Sequence, residues 1–516
     1  MQIFAPHAKD FYKGSHVHQL PEKLDLAYAN YTPRSGSHRN VPGDKVVFLG
    51  LQLFAKDYLI HDWNTTFFNK PKEKVCKKYH RRLKNGLGRE ISIKHIRALH
   101  DLGYLPIRIK ALPEGSVVPY GVPPFTVVNT RKGFGWLPNM IESVLSAEIW
   151  PSMTSATTYN EYRKMFEFYA MKTVGNIDFV PFQGHDFSFR GMMGRHAAAL
   201  SGFGHLAAGS YGTDTIPAID VAEDYYGADS DTEMVGMGCA ATEHFVMCAG
   251  GNEDGEEIET LRRLICDLYP DGLISVVSDT WDFWQLVIKY LAELKPEIMA
   301  RQGKLVIRPD SGDPVRIICG YTEDEITRYD NKVYVKEMGE VGSSYAGKEL
   351  MECEVKGLVQ CLWDIFGGTI TPKKYKMLDE HIGAIYGDSI TFGRALAIME
   401  RLEAKGFASD NIVLGIGSYT YQHVTRDTHG MAMKATYVEI DGVGKEIFKD
   451  PKTDDGTKKS AKGLLMVVQT GKEFVLVDQV SKKEEARGAL EVVFENSEMI
   501  KEVTLNEIRE TVRSFD

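Results

Sequence analysis

The chain lacks any paired-cysteine motif. Its seven cysteines, at 76, 239, 248, 266, 319, 353 and 361, form no C-x-x-C, and an odd number scattered along a long chain fits reduced thiols better than a disulfide framework. It lacks an apolar run near the ~20 residues that span a bilayer, and its start, "MQIFAPHAKDFYKGSHVH", has no signal-peptide apolar stretch; a cytoplasmic protein is expected. It lacks an excess of positive charge. The 61 Lys and Arg stand against 71 Asp and Glu, a net charge of −10, so neither nucleic acid nor an anionic lipid surface is suggested as a partner. An anionic ligand must find local positive charge instead. The phosphate signature G-x-x-x-x-G-K-[ST] is missing too, and "GFGHLAAG" fits G-x-G-x-x-A only loosely, following "AAALS" rather than a strand. There is no internal repeat, heptad array or low-complexity linker.

What is present is a chain of 516 residues with 43% hydrophobic residues, long enough for two domains sharing a large core. Up to about residue 170 the signals are mixed. "KVVFLGLQLFAKDYL" and "EYRKMFEFYAMKTV" have helical spacing, whereas "YLPIRIKALPEGSVVPYGVPPFTVVNT" is β-branched and punctuated by Pro and Gly. Between about 175 and 425 the pattern becomes regular: "LISVVS", "KLVIR", "IGAIY" and "NIVLGIG" read as buried strands, separated by helical stretches such as "TWDFWQLVIKYLAEL" and "FGRALAIMERLEAKG". The expected fold is α/β, with a β/α-barrel-like domain over 175–429 and a mixed α+β sheet domain from 1–174 plus 430–516. "GLLMVVQT" and "EFVLVDQV" are expected to join the sheet of that second domain.

The strands of the regular region end in polar residues: "SVVSD" at Asp279, "VIRPDSGD" at Arg308 to Asp313, "AIYGDS" at Gly387 to Ser389, and "VLGIGS" at Gly415 to Ser418. In a β/α barrel the strand carboxyl ends converge on one face and build the active site there. Each such loop alone is what turn-forming residues produce; four in succession point to a site. "GDS" and "GIGS" offer backbone N–H groups near helix starts, where a phosphate is favoured, with Arg426, Lys434, Lys449, Lys458, Lys459 and Lys462 nearby in sequence. A lysine-rich loop by itself is usually solvated surface. His244 follows Glu243, and a carboxylate near an imidazole raises its basicity and fixes its tautomer, although a lone histidine is more often an ordinary core or surface residue. The "HVH" at His16 to His18 could be a metal pair, but two histidines without a third are more often ordinary polar residues.

In order and spacing, "HDFSFRG", "YGTDT", "TEH", "SVVSD", "IRPDSGDP", "GDS", "TRD" and "FKDP", preceded by "DFYKGSHVHQLP" and "TPRSGS", resemble the nicotinamide phosphoribosyltransferase family over nearly the whole chain. The resemblance implies an α/β-barrel-like domain with a mixed sheet domain, a homodimer with shared active sites, and condensation of nicotinamide with phosphoribosyl pyrophosphate in the presence of Mg²⁺. ATP hydrolysis through a phosphorylated histidine would assist. By the same resemblance Phe187 stacks on the pyridine ring, with Tyr12 of a second subunit on the other face, and Arg190 and Asp214 hold the carboxamide. Arg308 and Asp310 meet the ribose and pyrophosphate, and Gly387 and Asp388 line the ribose edge. Gly417, Ser418, Arg426, Lys434 and Arg34 take the 5'-phosphate, while Lys449 and Lys458 reach pyrophosphate or ATP. His244 accepts the phosphoryl group with Glu243 and Asp279 around it, and Mg²⁺ is held mainly by the substrate phosphates. The chain departs from the family's pattern at "GIGSY", where Ser418 replaces a glycine, and at "GMGCAATEH" and "ITFGRAL".

Three other readings compete: a nicotinate or quinolinate phosphoribosyltransferase, a metal-dependent amidohydrolase barrel using "HVH", His244 and Asp310, and a barrel that binds a nucleotide without turnover. Asp214 separates the first, because a carboxylate accepts from an amide and repels an acid.

Overall fold

The computed structural model describes residues 3–251, 256–338, 344–449 and 461–516. Two sheets organise it. The first has seven antiparallel strands, in the order Val443–Glu446, Ala432–Ile440, Leu24–Thr32, Phe125–Asn129, Ile107–Ala111, Glu491–Glu495 and Glu498–Met499. The second has six parallel strands, in the order Gly184–Asp186, Ile412–Ile416, Ile382–Tyr386, Leu305–Arg308, Ile274–Val277 and Ala240–Ala241. Bridges from Asp186 to Thr213 and from Gly212 to Met237 carry the parallel sheet onward. It curls back towards its own far edge, since Met237 lies three residues before Ala240.

The continuous apolar runs of the parallel strands divide by alternation. Ile274, Val276, Leu305, Ile307, Ile412 and Leu414 are buried in the hydrophobic core with the surrounding helices. The alternate residues Ser275, Val306, Gly383, Ile385 and Val413 line an internal cavity. A strand covered on both faces needs this near-continuous hydrophobicity. Smaller sheets, Ile326–Tyr329 with Lys332–Met338 and Ser344–Leu350, and Gly368–Ile370 with Lys376–Leu378, decorate the connections.

One helix of 37 residues, Leu137–Thr173, serves both halves. Leu137, Met140, Ile141, Leu145, Ile149 and Met153 enter the core under the antiparallel sheet. Further along, Ala156, Tyr159, Tyr162, Phe166 and Ala170 enter the core of the barrel-like half. The helix Arg195–Ala207 crosses it very closely, and here "GFGHLAAG" finds its role. A Cβ on Gly204 would lie 2.6 Å from the Ser152 carbonyl oxygen and 2.9 Å from the Ala156 nitrogen. The glycines serve helix packing rather than a dinucleotide.

Two sequence expectations change. "KVVFLGLQLFAKDYL" begins as the strand Lys45–Val47 and turns helical only at Leu51. Gly50 breaks it with φ 94°, and Val46 and Val47 pair with Val118 and Val117. The hairpin Leu464–Thr470 and Glu473–Val480 pairs only with itself. It lies on the seven-stranded sheet face to face, through Leu464 and Leu465 against Tyr28. The last helix, Leu505–Ser514, buries Leu505, Ile508 and Val512 in the barrel-side core. Its buried Arg509 donates to the carbonyls of Leu206, Ser210 and Val235. All seven cysteines are free. No helix among the described residues is long and apolar enough to cross a membrane.

The crossing gives a direct test. Gly204→Ala should lower stability by about 2 kcal/mol through overpacking, whereas Gly393→Ala, in a helix where a Cβ meets nothing within 4 Å, should be neutral or stabilising by up to ~1 kcal/mol. Thermal midpoints of the two variants, measured side by side, check the contrast; equal midpoints would contradict it.

Candidate active site

The carboxyl ends of the parallel strands form one mouth. Phe187 follows Gly184–Asp186, Asp279 follows Ile274–Val277, Arg308 ends its strand with Asp310 two residues on, and Gly387 and Gly417 follow Ile382–Tyr386 and Ile412–Ile416. A cavity of about 290 Å³ runs inward from this mouth. His185, Phe187, Asp214, Cys239 and Arg308 line it near the mouth, and Phe179, Phe182, Lys304 and Asp410 also contribute to its wall.

Phe187 is fixed by a glycine. A Cβ on Gly415 would lie 2.8 Å from its Cε2 and 3.0 Å from the Gly387 Cα, so only a bare backbone lets the ring lie on the two adjacent strands. The Phe187 N–H donates to the Ile416 carbonyl at 3.1 Å. Asp214 sits at the cavity wall with its side chain half exposed, and its Oδ1 is 2.8 Å from His185 Nε2. Arg190 stands on the exposed turn Phe189–Gly191, directly after Phe187, and is not among the cavity-lining side chains.

Around Asp310 the structure gathers the acidic residues. Burial raises its carboxyl above the usual range, the Arg308 cation opposes that, and Asp279 and Asp388 raise it further. Two carboxylates near one another in a partly dry site resist ionising together. Asp310 N–H donates to Asp279 Oδ2 at 3.1 Å, while Asp279 Oδ1 is buried without a hydrogen-bond partner. Arg308 Nη2 donates to the Thr242 carbonyl at 2.6 Å, and its Nε is buried and unpaired. Beside them His244 has Nδ1 3.1 Å from Thr280 Oγ1 and Nε2 4.0 Å from Asp279 Oδ1. Its ring is about half exposed, at 51% of the side chain. Glu243 is exposed as the residue before the helix His244–Gly250. Among the described residues no group of three His, Cys, Asp or Glu side chains could hold a metal ion by itself.

A second group is cationic. Burial lowers the Lys434 ammonium, and Arg34, Arg426 and Lys449 press it further in the same direction. Arg34 is tied to the turn Arg426–His429, its N–H donating to the His429 carbonyl at 3.1 Å and its Nε to Gly430 at 2.8 Å. Gly417 precedes the short helix Ser418–Tyr421, and Ser418 packs its hydroxyl against Gly191, which a side chain at that position would displace. Lys458 lies outside the described residues.

Tyr12 is not among the residues that line the cavity of its own chain. The residue is 60% exposed, and its ring meets only its neighbours His16, at 4.8 Å, and Lys13, at 5.6 Å, among the ring contacts of the described residues. The segment that carries it is firmly placed. Lys13 pairs with Glu142 at 2.7 Å, and Phe11 lies directly over Gly86. His16 bonds to Asn139 and His18 meets the His95 ring. The "HVH" pair thus belongs to N-terminal packing and not to a centre containing His244 and Asp310.

Sequence reasoning missed His185, Thr242, Thr280 and Cys239. His185 was within reach: strand periodicity puts residues 185 and 187 on one face, so a ligand-facing Phe187 implies a ligand-facing His185. Thr242 and Thr280 carry no such signal, because turn residues of that kind are common.

Comparison with known proteins fits this geometry. Residues 182–498 match the Nicotinate phosphoribosyltransferase (NAPRTase) family. The chain is 51% identical over 513 residues to the nicotinamide phosphoribosyltransferase of Acinetobacter baylyi, covering 98% of this chain and 96% of that protein. It is 30% identical to the one of Xanthomonas campestris pv. campestris, covering 97% and 96%. In fold it resembles nicotinate-nucleotide pyrophosphorylase from Pyrococcus furiosus, with a TM-score of 0.57 at 13% identity, covering 100% of this chain and 96% of that one. Human nicotinic acid phosphoribosyltransferase gives 0.53 at 13% identity, covering 98% and 93%. By the extent of the family match and of the relatives' identity, the chain belongs to the nicotinate phosphoribosyltransferase (NAPRTase) family.

Proposed function

We propose that the protein condenses nicotinamide with 5-phosphoribosyl 1-pyrophosphate, forming nicotinamide mononucleotide and pyrophosphate for NAD biosynthesis. The observation that carries the reading is Asp214, a carboxylate on the cavity wall bonded to His185, whose ring meets that of Phe187. It accepts from the N–H₂ of an amide and repels the carboxylate of nicotinate, a discrimination of several kcal/mol. Relatives bearing the nicotinamide name support the same choice.

In this reading the base lies on Phe187, and its ring nitrogen attacks C1 of the ribose as the bond from C1 to the pyrophosphate oxygen breaks. Arg190, on the turn after Phe187, takes the carboxamide together with Asp214. Positive charge develops on the sugar, where Asp310, Asp279 and Asp388 oppose it, and negative charge on the leaving group, where Arg308 acts. Gly387 lets the sugar approach closely. The cations Arg34, Arg426, Lys434 and Lys449, joined by Lys458, take phosphate groups with Gly417 and Ser418. The buried, unpaired Oδ1 of Asp279 and the carboxyl of Asp310 are donors suited to Mg²⁺ carried in on the pyrophosphate. When bound, the ion offsets the leaving group's charge. His244, open to solvent and oriented by Thr280, with Asp279 and Glu243 nearby, is the acceptor of a phosphoryl group from ATP. The exposed Tyr12 completes the site of a second subunit in a homodimer. Seven free thiols fit a cytoplasmic setting. The second reading, use of nicotinate, is favoured only by the family's own description.

Three measurements bear on this. Asp214→Asn, which can donate as well as accept, should lower kcat/KM for nicotinamide and relax rejection of nicotinate by about tenfold or more; an unchanged ratio of the two bases would remove Asp214 from base choice. His244→Ala should abolish acid-labile labelling by γ-labelled ATP and ATP stimulation, while leaving a slow condensation; label retained in the variant would place the phosphate elsewhere. Finally, Tyr12→Ala and Asp310→Ala subunits, each nearly inactive alone, should recover up to about half of wild-type activity in a tagged heterodimer, because one of its two sites carries neither lesion. A heterodimer as inactive as its parents would assign Tyr12 to its own chain.

A further inference from the structure

Asp214 poses a problem that its backbone does not solve. Its N–H is fixed to the Asp186 carbonyl at 3.0 Å, yet its side chain is 51% exposed. A half-exposed aspartate can swing between rotamers and lose any preference for one substituent of the base. The only side chain that restrains it among the described hydrogen bonds is His185, through the 2.8 Å contact between Nε2 and Oδ1. His185, by contrast, is only 12% exposed and closely confined. Its ring centroid is 4.7 Å from that of Phe187, and on another side a Cβ on Gly212 would lie 2.9 Å from Nδ1 and 3.3 Å from the His185 Cα. The strand holding His185 is tied to the chain before Asp214 by the Asp186 N–H to Gly212 carbonyl bond at 3.0 Å. Ring and carboxylate therefore stand on two segments joined at fixed register.

We propose that His185 is a positioning residue for Asp214. An ionised carboxylate only accepts, so the nitrogen facing it carries the hydrogen. The Nε2–H occupies Oδ1, holds the side chain in one rotamer, and leaves Oδ2 as the acceptor for the carboxamide. A hydrogen bond to a charged group is strong enough to impose this. The proposal rests on the reading of Asp214 as the residue that meets the carboxamide, and adds to it the group that orients the carboxylate.

The test is a double-mutant cycle on the full-length enzyme, with steady-state kinetics on nicotinamide. His185→Leu should raise KM for nicotinamide about tenfold with kcat within about twofold, the size expected for losing one hydrogen bond to a charge. His185→Gln, whose amide N–H₂ can donate from nearly the same point, should stay within about threefold of the wild-type KM. His185→Asn, equally polar but too short to reach, should behave like the leucine variant, and it replaces that variant if the leucine protein does not fold. In an Asp214→Asn background the leucine or asparagine change should alter KM less than about twofold. An equal effect in both backgrounds would overturn the proposal, because His185 would then act on the base or the cavity shape directly; so would a glutamine variant as impaired as the leucine one. The underlying base-choice reading fails separately, by an unchanged nicotinamide to nicotinate ratio in Asp214→Asn alone.

Discussion

Both hydrophobic cores are built on one helix. Leu137–Thr173 runs 37 residues, about 55 Å at the usual rise, and inserts its first turns beneath the antiparallel sheet and its later turns against the curled parallel one. Buried Arg163 near its far end pairs with Glu167 and the last residue, Asp516. Its near end carries Asn139 and Glu142, which hold the segment bearing Tyr12. The close passage of Arg195–Ala207, allowed by Gly204, sets the position of the loop that follows, and this loop delivers Gly212 and Asp214. Displacing this helix would move the N-terminal aromatic and the cavity wall together.

The site solves an electrostatic problem for an acidic chain. At the mouth burial raises the Asp310 carboxyl, Arg308 opposes this, and Asp279 and Asp388 add to it. The other cations of the candidate site, Arg34, Arg426, Lys434 and Lys449, gather around the turn at 426–430. Burial first lowers the Lys434 ammonium, Glu142 opposes this, and the neighbouring Arg34, Arg426 and Lys449 lower it further. Such a group is costly unless an anion relieves it, which is what a phosphate site requires.

Much of the fold was legible because its signals are local. The apolar runs at 274–277, 305–308, 382–386 and 412–416 became parallel strands with polar carboxyl ends, since periodicity and turn chemistry depend on a few neighbouring residues. The hairpin at 464–480 was read correctly as a strand pair, but not its placement: edge-on addition and face-on packing bury similar residues and leave similar patterns. "GFGHLAAG" was ambiguous for the same reason, because glycines that admit a phosphate and glycines that admit a helix look alike in one dimension.

The sequence by itself determined the strand types, the acidic and glycine-rich loops, and the residue kinds available for chemistry, since each follows from side-chain volume, charge and backbone freedom. Only the tertiary structure decided which of these meet. Asp279 and Asp310 are 31 residues apart yet share a hydrogen bond, and Arg34 reaches Gly430 across 396 residues. His185 and Asp214 lie 29 residues apart, and their contact depends on a register between two bridged segments. Registers of that kind are fixed by the packing of the whole core, and no local stretch of sequence encodes them.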